Sequence, residues 1–135
     1  MEKILGWVEA FNNIARSENN FHSFYIERRG GYIGASLTLE DITRVENCRA
    51  GNFAIAAVTL EGEEAFLEIS TGVYKKCPTS SGYTAEYIKN IDHRLSLGGD
   101  PRLAEYIRSM KNEGEFVTLI EAVLQATTSP TVESS

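Results

Sequence analysis

The segment Lys75-Lys76-Cys77-Pro78-Thr79-Ser80-Ser81-Gly82 holds the side chains that an anion site needs. Two ammonium groups supply charge, and three hydroxyls supply hydrogen-bond donors. A helix is predicted to follow, and its first free N–H groups would complete a cradle for a phosphate or carboxylate. The order is not that of a P-loop, because the lysines precede the loop and a single glycine is present. Lys75, Lys76, Thr79, Ser80 and Ser81 are thus candidate residues for binding an anionic small ligand or nucleotide. The competing reading is a solvated loop with a serine helix cap.

A second set is aromatic and basic. Tyr83, Tyr87, Arg94, Arg102 and Arg108 fall on predicted helices, with Tyr74, Tyr106, Lys75, Lys76 and Lys89 nearby. Tyrosine and arginine are the residues that most often anchor protein interfaces. Basic and aromatic mixtures also bind single-stranded nucleic acid. The plainer alternative is that these tyrosines rim the core. The five residues are taken as candidates for binding a protein partner.

The remaining reactive side chains form no pattern that chemistry requires, so no catalytic residue is assigned. His22 and His93 are the only histidines, and on a helix Asp92 would point away from His93. The two histidines and two cysteines lack the paired spacing of a zinc site. Glu61, Glu63, Glu64 and Glu68 lie on a predicted hairpin, where they read as an acidic edge that discourages sheet pairing; a calcium site wants a turning loop. Lysines beside Cys77 would favour its thiolate, but no activating base is near in sequence. No metal or cofactor is expected. Cys48 and Cys77 have no CxxC spacing and read as reduced thiols, with a disulfide between them as the alternative.

Charge narrows the partners. The net charge of −6 opposes general binding to duplex nucleic acid. It is unevenly spread: −4 over residues 61–70, +3 over 71–111 and −4 over 112–135. Such polarity suits an acidic protein partner or a homodimer, although scattered solvated faces give the same count. The longest strictly apolar run is Phe53–Val58, far short of a membrane span. The apolar start of the chain is too short for a signal-peptide core. A cytoplasmic location follows as the expectation.

The elements that would position these side chains define an α+β domain over residues 1–126. Ile4, Trp7, Val8, Phe11, Ile14 and Ala15 make one stripe of a first helix. A meander of about four antiparallel strands follows: Phe21–Arg28, Tyr32–Leu37, Asn52–Leu60 and Glu63–Ser70. Gly30-Gly31 and Glu61-Gly62 are hairpin turn signals. Thr38-Leu39-Glu40-Asp41 resembles a helix cap, so a short helix is expected over Leu39–Asn47 with Ile42 and Val45 inward, an edge strand being the alternative. Thr71–Gly82 reads as loop. Helices are expected at Tyr83–Leu97, after the Asp100-Pro101 start signal, and from about Phe116, giving two to three C-terminal helices. Residues 127–135 form a Ser/Thr/Pro-rich tail with too little apolar content to order itself. The function expected is that of a small non-enzymatic inhibitor, immunity-type protein or adaptor. An anionic-ligand binder or an enzyme with a spatially assembled site are the alternatives.

Overall fold

The computed structural model describes residues 2–29 and 32–128. Helix α1 (Glu2–Ala15) is followed by five strands: β1 (Asn20–Arg29), β2 (Tyr32–Val45), β3 (Cys48–Glu61), β4 (Glu64–Thr79) and β5 (Gly82–Gly98). Helices α2 (Pro101–Ser109) and α3 (Glu113–Thr128) follow. The strands form one antiparallel sheet in the order β1-β2-β3-β4-β5. The α+β class, the leading helix and the meander agree with the sequence. The meander has five strands rather than four.

Three local expectations give way together. Leu39–Asn47 is not a helix: β2 runs through it to Val45, and Ile42 lies on the opposite face from Leu39. Thr71–Gly82 is not loop, because β4 continues to Thr79. Tyr83–Leu97 is not a helix but lies within β5, and the C-terminal helices number two. The cause of the last is a bulge. Thr71 faces Ile91 while Gly72 faces Lys89, so Asn90 is an extra residue. Even-numbered Ile88 and odd-numbered Ile91, His93 and Leu95 therefore share one face, a spacing that imitates a helical stripe. Gly72 makes the bulge possible. A Cβ there would stand 2.0 Å from the Ile88 carbonyl oxygen.

All three helices pack on one face of the sheet, here the inner face. Its strand residues are Ala35, Leu37, Leu39, Ala54, Ala56, Val58, Leu60, Ala65, Leu67 and Ile69, and they share a core with Ile4, Trp7, Ile14, Ile107, Met110 and Phe116. Small side chains at Ala54 and Ala56 on the central strand leave room for α1. There the Trp7 Nε1–H donates to the Ile55 carbonyl at 3.0 Å, and the indole stacks on Phe11. Asp100 caps α2 by accepting from the Arg102 N–H, with Pro101 next, as its sequence predicts. The Tyr106 hydroxyl donates to the Glu115 carbonyl and ties α2 to α3. The Arg28 guanidinium donates to the carbonyls of Arg108 and Met110, binding the end of α2 to β1. The last described turn of α3 includes Thr127; residues 129–135 of the expected tail lie outside the described residues.

Cys48 and Cys77 are disulfide-bonded. This corrects the expectation of reduced thiols. The sequence separation of 29 residues hides a simple relation: with Arg49 opposite Lys76, the antiparallel register brings Cys48 opposite Cys77 on neighbouring strands.

Candidate functional site

Among the described residues, no helix lies on the outer face of the sheet. Register places Phe21 and Tyr25 of β1, Arg44 of β2, Arg49, Phe53 and Ile55 of β3, Phe66, Tyr74 and Lys76 of β4, and Tyr83, Tyr87 and Arg94 of β5 on that face. Its most distinctive part is the arm formed by the end of β4 and the start of β5. Every residue of β5 from Gly82 to Asn90 is exposed. Of the large apolar or aromatic side chains that are exposed among the described residues, this arm holds Val73, Tyr83, Tyr87 and Ile88, with Tyr83 71% and Tyr87 64% exposed. Such crowding on one arm marks an interaction surface, whereas single scattered apolar residues do not. Because β5 ends the strand order, its outward backbone groups have no neighbouring strand among the described residues.

An aromatic cluster gives the arm a fixed shape. Tyr74 and Tyr87 stack at 5.9 Å between ring centroids, and Phe53 meets Tyr87 edge-on at 6.2 Å. The Lys76 ammonium lies 4.8 Å from the centroid of Tyr83. Phe53 is buried, and Gly72, directly opposite it on β4, carries no side chain to crowd the ring. Tyr74 is buried too, and its hydroxyl has no hydrogen-bond partner among the described residues. Burial pushes the Tyr74 phenol above its ordinary value. Glu40 adds to the shift, and Arg49 opposes it. Burial also raises Tyr106, followed by the charge of Glu115.

These shifts predict an alkaline limit. A phenol raised in the fold stays neutral while the unfolded one ionises, so the folded state holds more protons. Stability is then unaffected well below the ordinary tyrosine value of 10.0 and falls as pH rises through it. Urea unfolding between about pH 8 and 11 measures this. Tyr74→Phe, which removes a hydroxyl without a partner, should flatten the alkaline fall and cost little at neutral pH. An unchanged slope would mean that Tyr74 contributes nothing to it.

The candidate residues from the sequence are dispersed by the fold. Lys75 and Lys76 alternate along β4, so Lys75 is on the inner side and Lys76 on the outer. Thr79 ends β4, and Ser80 and Ser81 form the turn into β5, where the Ser81 N–H donates to the Thr79 hydroxyl. No helix starts there, so its N–H groups are not available to that loop. Tyr83, Tyr87 and Arg94 do share the outer face. Arg94, however, bonds Glu68 and Glu61 and lies 3.7 Å over the Phe66 ring. Arg108 is on α2 and pairs with Glu63, while Arg102 pairs with Asp100. Three of the four hairpin glutamates are thus paired with the chain's own arginines, and Glu64 accepts from the Ser96 hydroxyl. His22 contacts Glu113 at 2.5 Å. No cluster of three or more metal-ligating side chains occurs among the described residues.

Sequence reasoning missed Arg44, Arg49 and Phe53 as parts of this face. The signal was alternation: once β2 is extended to Val45 and β3 back to Cys48, Arg44 and Arg49 fall on the outer side with Phe53. The molecule is of the class of α+β domains whose antiparallel sheet is covered on one face and open on the other. No protein-family model matches the chain, and no curated protein is significantly similar to it. No helix among the described residues is long and apolar enough to cross a membrane.

Proposed function

We propose that this protein acts by binding another protein through the β4–β5 arm, in the manner of an inhibitor, immunity-type protein or adaptor. The observation that carries this reading is the fully exposed stretch of β5 from Gly82 to Asn90 at the edge of the sheet. An exposed edge offers main-chain hydrogen bonds to an extended partner segment, and rigid aromatic side chains beside it supply contact area at low entropic cost. Tyr83 and Tyr87 fill that role on one side of the arm, Val73 and Ile88 on the other.

The Tyr87→Lys, Ile88→Lys double variant tests it. Both side chains are exposed, so the fold should survive and the melting temperature should change little. Wild type should retain a protein from native lysate that the variant loses, while Tyr25→Lys, on the far edge strand, retains it. Equal capture by all three removes the arm from the site. A doubled mass in sedimentation, abolished by the variant, would replace the heterologous partner with a second copy of the chain.

The anionic-ligand reading of Lys75–Gly82 is weaker in this setting, since the loop is a hairpin turn with its two lysines on opposite faces. For location, the cytoplasmic expectation rests partly on reduced thiols. The Cys48–Cys77 bridge removes that support and favours an oxidising compartment.

A further inference from the structure

The chain has eight arginines. Six of them hold an oxygen acceptor on the chain itself: Arg16 on Asn13, Arg28 on the α2 carbonyls, Arg29 on Glu27, Arg94 on Glu61 and Glu68, Arg102 on Asp100 and Arg108 on Glu63. Among the described residues, Arg44 and Arg49 have no ion pair or side-chain hydrogen bond. Nor does Lys76 pair with a carboxylate among the described residues; its ammonium lies over the Tyr83 ring.

These three cations are not scattered. Arg44 is directly opposite Arg49 in the β2–β3 register, and Arg49 is directly opposite Lys76 in the β3–β4 register. They form one row across three adjacent strands on the outer face, spanning about 10 Å at the usual strand spacing. Like charges placed directly opposite are destabilising. This row holds two such pairs in succession. The disulfide adjoins it, because Cys48 and Cys77 are the neighbours of Arg49 and Lys76 in sequence. The covalent link thus keeps two repelling side chains on facing positions. Arg44, Arg49 and Lys76 line a cleft of about 440 Å³, with Asn47, Pro78 and Tyr83 completing its wall. Glu40, the acidic residue on the same face of β2, is two face positions from Arg44, beside Phe53.

We infer that the Arg44–Arg49–Lys76 row is a binding site for a small phosphate-bearing ligand carrying at least two negative charges, a diphosphate group being the best match. Three cations within one row are neutralised by one compact polyanion. A peptide would need several acidic side chains converging on the same point. The planar fork of arginine fits phosphate oxygens in pairs, and the lysine adds a point charge. The Asn47 amide can donate to a further oxygen. The Tyr83 ring gives the cleft one aromatic wall, against which a base attached to the diphosphate could stack. This site shares Lys76 and Tyr83 with the protein-binding arm, but its two arginines are on β2 and β3, away from the edge of β5.

Calorimetric titration of the full, oxidised chain with inorganic pyrophosphate tests it, with ADP as a second arm. Saturable one-to-one binding is expected, weakening as salt rises. Arg49→Ala and Arg44→Ala should each weaken it by about tenfold or more. Lys3→Ala removes an equal charge from the exposed face of α1 and should leave affinity unchanged. Tighter binding of ADP than of pyrophosphate would identify a nucleotide as the source of the diphosphate; equal binding would identify the diphosphate alone. Melting curves give an independent reading. Without ligand, Arg49→Ala should melt above wild type, because the repulsion is relieved; with pyrophosphate, wild type should gain and the variant should not. Absence of saturable binding at millimolar pyrophosphate would overturn the inference. So would equal weakening by Lys3→Ala, or a glutamate-rich peptide that binds where pyrophosphate does not.

Discussion

Trp7→Ala is expected to lower the free energy of unfolding by about 3–5 kcal/mol, the range for removing a large buried aromatic side chain. Trp7 is 3% exposed and fills the interface between α1 and the central strand. Its loss removes the stacking partner of Phe11 and leaves a cavity beside Leu37, Ala56 and Ile120. It also deletes the indole hydrogen bond to the Ile55 carbonyl. Trp7→Phe separates the two contributions. It keeps much of the ring volume and loses the N–H donor, so it should cost clearly less than the alanine variant. Chemical denaturation of both variants measures the difference. A Trp7→Ala protein as stable as wild type would mean that α1 does not depend on this side chain for docking.

Loss of the Cys48–Cys77 bridge is the second large effect. In the chain-entropy account, a cross-link between residues 29 apart stabilises by about 3–4 kcal/mol, through the unfolded state. Replacing both cysteines by serine should therefore lower the denaturation midpoint substantially, and a reductant should do the same to wild type but not to the variant. The bridge also restrains the facing Arg49 and Lys76, which makes the two features energetically coupled. Arg49→Ala should recover more stability in the serine background than in the oxidised protein, a comparison that a double-mutant cycle resolves. Additivity would show that the bridge and the cation row act independently. Identical midpoints with and without reductant would show that the link adds nothing.

What could be read from the sequence follows a physical division. Elements with an uninterrupted period were legible: the stripe of α1 from Ile4 to Ile14, the alternation of Ile33 to Leu39, the doubly apolar run of Phe53–Val58 and the Asp100-Pro101 cap. Elements whose period is broken were not. In β5 the extra residue Asn90 moves the inward side chains from even to odd positions, and the result resembles a helix when written as text. In β2, Thr38 and Asp41 are outer-face and inner-face strand residues whose identities happen to match a helix cap. Leu39 is buried and Asp41 accepts from the Asn52 N–H on β3 at 2.8 Å, so sheet pairing outweighs local propensity there. The face itself was partly legible. Tyr83 and Tyr87 do share a surface, but with Lys76 and Phe53 rather than with Arg102 and Arg108. Pairing across strands set that grouping, and no spacing along a single chain segment encodes it.

The strand order has a consequence for how the chain acquires its structure. In β1-β2-β3-β4-β5 every strand pairs with its neighbour in sequence, so each hairpin closes over a short turn and the sheet can grow by one strand at a time. Loop closure of that kind costs little, and local pairing favours rapid folding. The helices are different, and α1 is the one made before its cover. Its Trp7 meets Ile55 across 48 residues, and its Gly6 lies against Ile91 of the last strand. During synthesis α1 is therefore made well before the strands that cover it, and it docks only after they emerge. Until β3 and β4 emerge, an amphipathic helix bearing Ile4, Trp7 and Ile14 waits without its cover. That interval is when a newly made chain is most open to chaperones and to aggregation.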